Sequence, residues 1–363
     1  MVYIQSIGTA LPSFITRQDK IADFMVRNFN LDEREERKLR VLYRASGISQ
    51  RYSVLQDFSK NLNGNRFFKE DHSPTSKPRM DLFQEHALTL SRQAVENTMR
   101  ESPTSLNEIT HLIAVSCTGM YAPGLDIELI ESLGLKTDIQ RISINFMGCY
   151  AAFNALKAAS NIVRSDPKAQ VLVVCVELCS IHLQHNTDDD NILANAIFGD
   201  GSAALLINGT KGKKSLELSS FYSDLALTGK SEMGWYIGDN GFEMRLSARV
   251  PDVIKEGISV LTKKLLGKVG LEKSDIDFFA IHPGGKRILE VIEQELAISK
   301  EQDAPAREVL RSYGNMSSPT ILFVIKHIFD QLTEEDDQKH LLSFAFGPGL
   351  TLESAVLKTH VHA

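Results

Sequence analysis

The feature that most constrains the fold of this 363-residue chain is its rhythm: short apolar runs alternate along the whole length with stretches that carry an apolar face at helical spacing. Runs of this kind are strands buried on both faces, and their alternation with amphipathic helices points to α/β architecture. Strands are predicted over 2–10, 111–117, 141–146, 171–178, 203–208, 216–224, 277–282, 342–346 and 352–357. Helices are predicted over 17–29, 32–44, 82–100, 124–133, 149–164, 250–269, 286–296 and 317–332. The least structured stretches are 61–79 and 209–214. The second, GTKGKK, separates two blocks in which strands lead into helices through glycine-bearing turns, so two lobes are expected, 1–212 and 213–363.

The longest apolar runs, HLIAV, VLVVCV and TILFVI, are far below the ~20 residues that a membrane-spanning helix needs. The opening MVYIQSIGTALP lacks the basic and apolar regions of a secretory signal. With 40 basic against 46 acidic side chains there is no general electrostatic case for nucleic acid or an anionic membrane. Four cysteines are too few for a disulfide framework, and no CxxC pair or Cys/His spacing suggests zinc. The expectation is a soluble cytoplasmic protein without a metal.

The segment RISINFMGCYAAFNAL reads as strand, tight turn, helix, with Cys149 at the first helical positions. Free N–H groups and the helix dipole there favour a thiolate, which would make Cys149 a nucleophile; a buried structural cysteine is the alternative, and the segment alone does not decide. Cys117, Cys175 and Cys179 end or follow apolar strands and read as core. His282 ends the strand IDFFAIH before Pro283-Gly284-Gly285, at the carboxyl end of a strand, where ligands of open α/β sheets gather. A histidine that caps the loop is the bland reading. His340, His360 and His362 lie in polar or terminal stretches and read as solvated. Asn315 stands between two helical patterns in RSYGNMSSP, a usual place for a cap. Together the three residues form a Cys/His/Asn set, which is the logic of an activated nucleophile with a base and a neutral donor.

The blocks NFMGCYAAFNAL, NAIFGDGSAALL, IHPGGKRIL, YGNMSSPTILF and FAFGPGLTLESAVL, in this order and spacing, resemble the type III polyketide synthases, the chalcone-synthase-like family. The similarity runs over about 110–358; earlier, only the strand and helix pattern follows. The resemblance implies a thiolase fold, two similar halves in a five-layered αβαβα body, and a homodimer. It implies an acyltransferase that condenses malonyl-CoA with an acyl-CoA starter by decarboxylation, using coenzyme A thioesters directly and no other cofactor. Cys149 is then the nucleophile, His282 the base and oxyanion donor, and Asn315 the second donor. Phe198 matches a gatekeeper between the coenzyme A tunnel and the product cavity. Thr118, Glu177 and Ser317 fall among the substrate-binding positions. Lys38, Arg40 and Arg44 on the early basic helix, and Lys286 and Arg287 after HPGG, are candidates for coenzyme A.

Several positions depart from the plant members. Met244 stands at a second gatekeeper's place, with Phe242 on the same strand face as its substitute. Trp235 falls where a glycine often lines the cavity, His182 where a small threonine stands, and Ala122 where one subunit lends a methionine to its neighbour. A large ring at 235 subtracts volume and argues for few extensions, so a short pyrone or resorcinol-type product is expected. Three other readings share parts of the residue set: a carrier-protein-dependent condensing enzyme of fatty-acid synthesis, a papain-like hydrolase and a silent acyl-binding scaffold. HPGG and the FGPGLTLE ending favour the polyketide class over the first. The Cys149 context, MGCYAAF, lacks the Cys-Trp pattern of the second, and the three intact reacting positions speak against the third.

Overall fold

The computed structural model describes residues 1–58, 67–69, 73–186 and 188–362. Its strands are β1 (Tyr3–Ala10), β2 (Phe14–Arg17), β3 (Gln50–Ser53), β4 (His111–Ser116), β5 (Gln140–Asn145), β6 (Val171–Leu178), β7 (Asp200–Asn208), β8 (Lys214–Leu225), β9 (Met233–Gly238), β10 (Gly241–Leu246), β11 (Phe278–Ile281), β12 (His340–Gly347) and β13 (Thr351–Val361). Its helices are α1 (Gln18–Asn28), α2 (Glu33–Ala45), α3 (Ser76–Arg100), α4 (Leu125–Leu133), α5 (Ala151–Ser165), α6 (Asp189–Ile197), α7 (Val250–Val269), α8 (Lys286–Leu296), α9 (Ala304–Tyr313) and α10 (Thr320–Gln331).

Nine strands hydrogen-bond in the order β11-β12-β13-β8-β1-β7-β6-β4-β5. The two halves of the sheet join at a corner, where Tyr3 and Ile4 of β1 pair with Glu217 and Leu216 of β8. Outward from this seam the halves repeat one pattern: antiparallel neighbours β7 and β6 on one side, β13 and β12 on the other, and then parallel strands at each edge. Helices α5 and α10 pack between the halves, since α5 touches β13 as well as β4 to β7, and α10 touches β1 and β7 as well as β11. Helix α3 covers the far side of the first half and α7 that of the second, which gives the layer order α, β, α, β, α. The doubly covered strands are buried end to end, β6 and β7 at every residue, which is why they read as unbroken apolar runs.

The nine strands predicted from sequence are the nine of this sheet, each within a few residues, and the eight predicted helices are all present. Three differences have physical causes. Helix α3 begins at Ser76 rather than 82, because Arg79 is buried in its first turn and donates to the carbonyls of Pro74, Ile181 and Leu183. Of the stretch expected to be unstructured, 61–66 and 70–72 lie outside the described residues. The hairpin β9–β10 and helices α6 and α9 were not anticipated, since none has a long apolar face of its own. Strand β13 also runs further than expected, so His360 is buried on a strand rather than solvated. No helix of the described residues is long and apolar enough to cross a membrane.

Candidate active site

Cys149 lies in the turn between β5 and α5, two residues before the first helical residue, Ala151, and not inside the helix as expected. The turn needs left-handed backbone at Phe146 (φ 58°) and Gly148 (φ 81°). A Cβ on Gly148 would also stand 2.4 Å from Pro348, so only glycine fits there. The thiol that results is buried.

His282 follows β11, with its N–H donating to Phe344 of β12 at 2.9 Å. Its ring is buried, and neither Nδ1 nor Nε2 finds a hydrogen-bond partner among the described residues. Buried polar atoms are rarely left so, and these two nitrogens are therefore available to a reactant. Asn315 precedes α10, and its side chain is oriented by its surroundings. Oδ1 accepts from the Ser317 N–H at 2.8 Å and from Thr320 Oγ1 at 3.3 Å, and the fixed amide lies edge-on to Cys149 Sγ, which is 3.9 Å from Nδ2 and 4.0 Å from Oδ1. The three residues, Cys149 more than a hundred positions before the other two, line one small chamber with Phe198, Met244 and Phe346.

Burial dominates the electrostatics. It pushes the Cys149 thiol up to about 11, against the opposing hydrogen bonds of Ser317 and Asn315. It drives His282 down to about 3. Both shifts favour the uncharged forms, thiol and neutral imidazole, and so oppose the helix-dipole effect that favours a thiolate.

Cys149, Phe198 and Met244 also line a second, larger cavity, so Phe198 and Met244 stand between the two spaces. Thr118, His182, Trp235 and Ser317 line this larger cavity, as does Phe242. One face of it is an aromatic cluster. The His182 ring stacks on Phe242 at 4.3 Å and meets the edge of Trp235 at 5.7 Å. Trp235 Nε1 donates to the Cys117 carbonyl at 2.7 Å. His182 Nε2 lies 2.7 Å from the Thr118 carbonyl and Nδ1 accepts from the Phe242 N–H at 3.0 Å, which assigns the proton to Nε2. Burial keeps this ring neutral, with its pKa down to about 3.

One expected lining residue, Glu177, lies elsewhere. Glu177 sits behind the wall: Oε2 accepts from Thr118 Oγ1 (2.8 Å), the Cys117 N–H (2.9 Å) and Ser116 Oγ (3.3 Å), and Oε1 from Ser318 Oγ (2.6 Å). It ties β6 to the loop after β4 and to the Asn315 turn. Ala122 is exposed and lines a separate surface hollow beside β5. Residue counting fixed the position of Glu177, but not which way it faces.

The basic residues divide in the same manner. Lys38 lines a groove with Arg34 and Arg37, and Leu246 belongs both to this groove and to the chamber of Cys149. Lys38 also pairs with Asp189. Arg40 is held by Asp23 (2.8 Å) and Glu36 (2.7 Å), and it faces a different hollow with Arg44. Lys286 lies beside Gly47 just past α2 and pairs with Glu290 at 3.7 Å. Exposed Arg287 follows it at the start of α8, between the chamber residues Gly284 and Ile288. Arg34 and Arg37 escaped the sequence reading, although their i, i+3, i+4 spacing with Lys38 places all three on one helix face. Arg51 escaped it too: its Nη1 donates to the carbonyls of Asn195 (2.9 Å) and Phe198 (2.5 Å), closing the end of α6 that carries Phe198.

The chain matches two family models, the N-terminal domain of chalcone and stilbene synthases over residues 1–211 and the C-terminal domain over residues 222–361. It is 34% identical over 355 residues to an alpha-pyrone synthesis polyketide synthase-like protein, Pks18, of Mycobacterium tuberculosis, covering 96% of this chain and 89% of that protein. It is 29% identical to type III polyketide synthase A of Arabidopsis thaliana, covering 98% and 92%. Among solved structures, PKS-I of the brown alga Ectocarpus siliculosus superposes with a TM-score of 0.92 at 30% identity over 98% of both chains. The layered body is accordingly a thiolase-like fold.

Proposed function

This chain belongs to the chalcone and stilbene synthase family and is a type III polyketide synthase, a transferase that joins acyl units by decarboxylative Claisen condensation, and from this premise we propose that Cys149, His282 and Asn315 are its reacting groups. Family members use coenzyme A thioesters. Here the substrates are an acyl-CoA starter and malonyl-CoA, with no further cofactor. The observation that carries the assignment is the pair of unpartnered His282 nitrogens in the chamber shared with Cys149 Sγ and the oriented Asn315 amide.

The starter thioester arrives with its carbonyl beside Sγ. His282 takes the thiol proton as Sγ attacks, the C–S bond to coenzyme A breaks, and the coenzyme A sulfur recovers the proton. Malonyl-CoA then loses CO2, and the electron pair of the broken C–C bond becomes an enolate. Its oxygen is held by the Asn315 Nδ2–H and a His282 N–H, neutral donors already in place. The enolate carbon attacks the Cys149 thioester, a C–C bond forms, and Sγ leaves as the thiolate. For the next round the Cys149 thiolate attacks the thioester carbonyl of the extended chain, the C–S bond to coenzyme A breaks, and coenzyme A leaves as its sulfur takes up a proton from water.

The groove of Arg34, Arg37 and Lys38 suits the phosphates of coenzyme A, because it adjoins the chamber at Leu246 and sets three cations on one helix face, two of them free of the Lys38–Asp189 pair, opposite the carboxylates of Asp189 and Asp190. Phe198 and Met244 act as gatekeepers, while Trp235, Phe242 and His182 close the product cavity. The ring cluster leaves room for few extensions, which supports a short pyrone or resorcinol-type product.

A homodimer is part of the proposal. Edge strand β5 is exposed along most of its length, and Met120, Ile127 and Ile142 beside it are exposed apolar side chains, a surface that a second copy would cover. The four cysteines are free and buried, which suits a reducing cytoplasm.

The test is purified protein with labelled malonyl-CoA and a panel of acyl-CoA starters, without carrier protein. Release of CO2 and starter-dependent products, identified by mass, are expected. A requirement for malonyl-carrier protein, or background CO2 release with either donor, would overturn the assignment.

A further inference from the structure

At the end of β13 farthest from Pro348 and the Cys149 turn, His360 stands in the strand and His362 directly after its last residue, Val361. Asp337 reaches them from the loop after a short 3-10 turn, Glu334–Asp336. One ligand atom of each residue lies within 4.8 Å of the others. The cluster lies outside the chamber, the product cavity and the basic groove.

Two further observations point to a cation. First, the buried His360 ring is oriented by a carboxylate: Nε2 lies 3.0 Å from Glu217 Oε2 on β8. This bond holds the proton on Nε2 and leaves the Nδ1 lone pair for the cluster, the arrangement in which a carboxylate steadies a metal-ligating histidine. Secondly, a donor already sits between the acceptors, for the Gln338 side-chain nitrogen is 2.9 Å from His360 Nδ1 and 3.3 Å from Asp337 Oδ1. The Asp337 carboxylate is fixed by the Val361 N–H at 3.0 Å, and His362 Nδ1 stands 3.9 Å from its other oxygen.

We propose that Asp337, His360 and His362 form a site for a transition-metal dication of the zinc type, which fastens the end of β13 to the 334–337 turn. Two imidazoles and one carboxylate suit zinc and its neighbours, whereas calcium and magnesium take oxygen ligands. Three protein ligands leave a fourth position for water. Binding draws the exposed His362 ring inward and turns the Gln338 amide out.

The experiment uses the full chain freed of metal with a chelator. Zn2+ is titrated against a chromophoric competitor, and Co2+ is followed by its visible spectrum. One equivalent of Zn2+ is expected to bind and to raise the unfolding temperature. H362A and D337N are expected to weaken binding tenfold or more, with condensation activity unchanged. E217Q is expected to weaken it tenfold as well, through the His360 ring. Equal Zn2+ affinity in wild type, H362A and D337N would overturn the site. So would a Co2+ spectrum dominated by sulfur charge transfer that disappears on alkylation of Cys149, because it would place the metal on the cysteines.

Discussion

Asn315 and Phe198 are joined by a two-bond bridge: the Gly199 N–H donates to the Asn315 carbonyl at 2.9 Å, and the Asn315 N–H donates to the Ile197 carbonyl at 2.8 Å. The proposed oxyanion donor and the proposed gate are thus fixed to one another through backbone. Arg51, bonded to the Phe198 carbonyl, braces the same junction.

Replacing Asn315 by Ala removes the donor amide and keeps the bridge. Decarboxylation of malonyl-CoA is expected to fall by ~10²–10³, the usual cost of one oxyanion donor. Alkylation of Cys149 by iodoacetamide should continue, which separates lost catalysis from lost folding. Retention of full CO2 release would remove Asn315 from the mechanism.

The pH dependence of that alkylation tests the resting state. With burial holding the thiol up to about 11 and His282 down to about 3, both groups are neutral near pH 7. The thiolate is the reactive form, so the inactivation rate of the free enzyme should climb about tenfold per pH unit between roughly 7 and 10. A plateau that begins below pH 7 would instead reveal a preformed thiolate–imidazolium pair.

Trp235 couples cavity volume to wall stability. Trp235→Ala should lengthen the product by one or more two-carbon units, read from product masses. Trp235→Phe keeps most of the bulk but abandons the Cys117 carbonyl, so it should leave chain length nearly unchanged while lowering stability by ~1–3 kcal/mol in urea unfolding.

Neutralising Arg34, Arg37 and Lys38 together should raise KM for malonyl-CoA on the order of tenfold, or ~1.4 kcal/mol. Turnover at saturation should hold, since these side chains lie outside the chamber. The defect should shrink as ionic strength rises, because salt screens the wild-type contacts.

The inner strands of the sheet were legible because they are covered on both faces, and burial writes itself into composition as unbroken apolar runs such as VLVVCVEL. Cys149, His282 and Asn315 were legible because each sits where a glycine-bearing turn breaks such a pattern. Facing was harder to read. Thr118, His182, Trp235 and Met244 were placed by counting and do line the space beside Cys149, whereas Glu177 on β6, placed by the same counting, does not. A one-residue offset or a bulge reverses a side chain on a strand, and spacing carries no record of it. Hairpin β9–β10 escaped notice because it packs by its rings against His182 rather than through a continuous apolar face. The basic groove was half seen, since α2 carries cations on more than one face and only three dimensions separate Lys38 from Arg40 and Arg44.

Hairpin β9–β10 forms its own two-stranded sheet and bears Trp235, Phe242 and Met244, whereas Cys149 and Asn315 are seated at the heads of the two middle-layer helices. The proposed bond-making groups and the proposed mould thus stand on different elements, joined through the Trp235 bond to the Cys117 carbonyl. On that assignment, exchanging the hairpin for another is expected to change the compound released while the alignment that forms each carbon–carbon bond is kept.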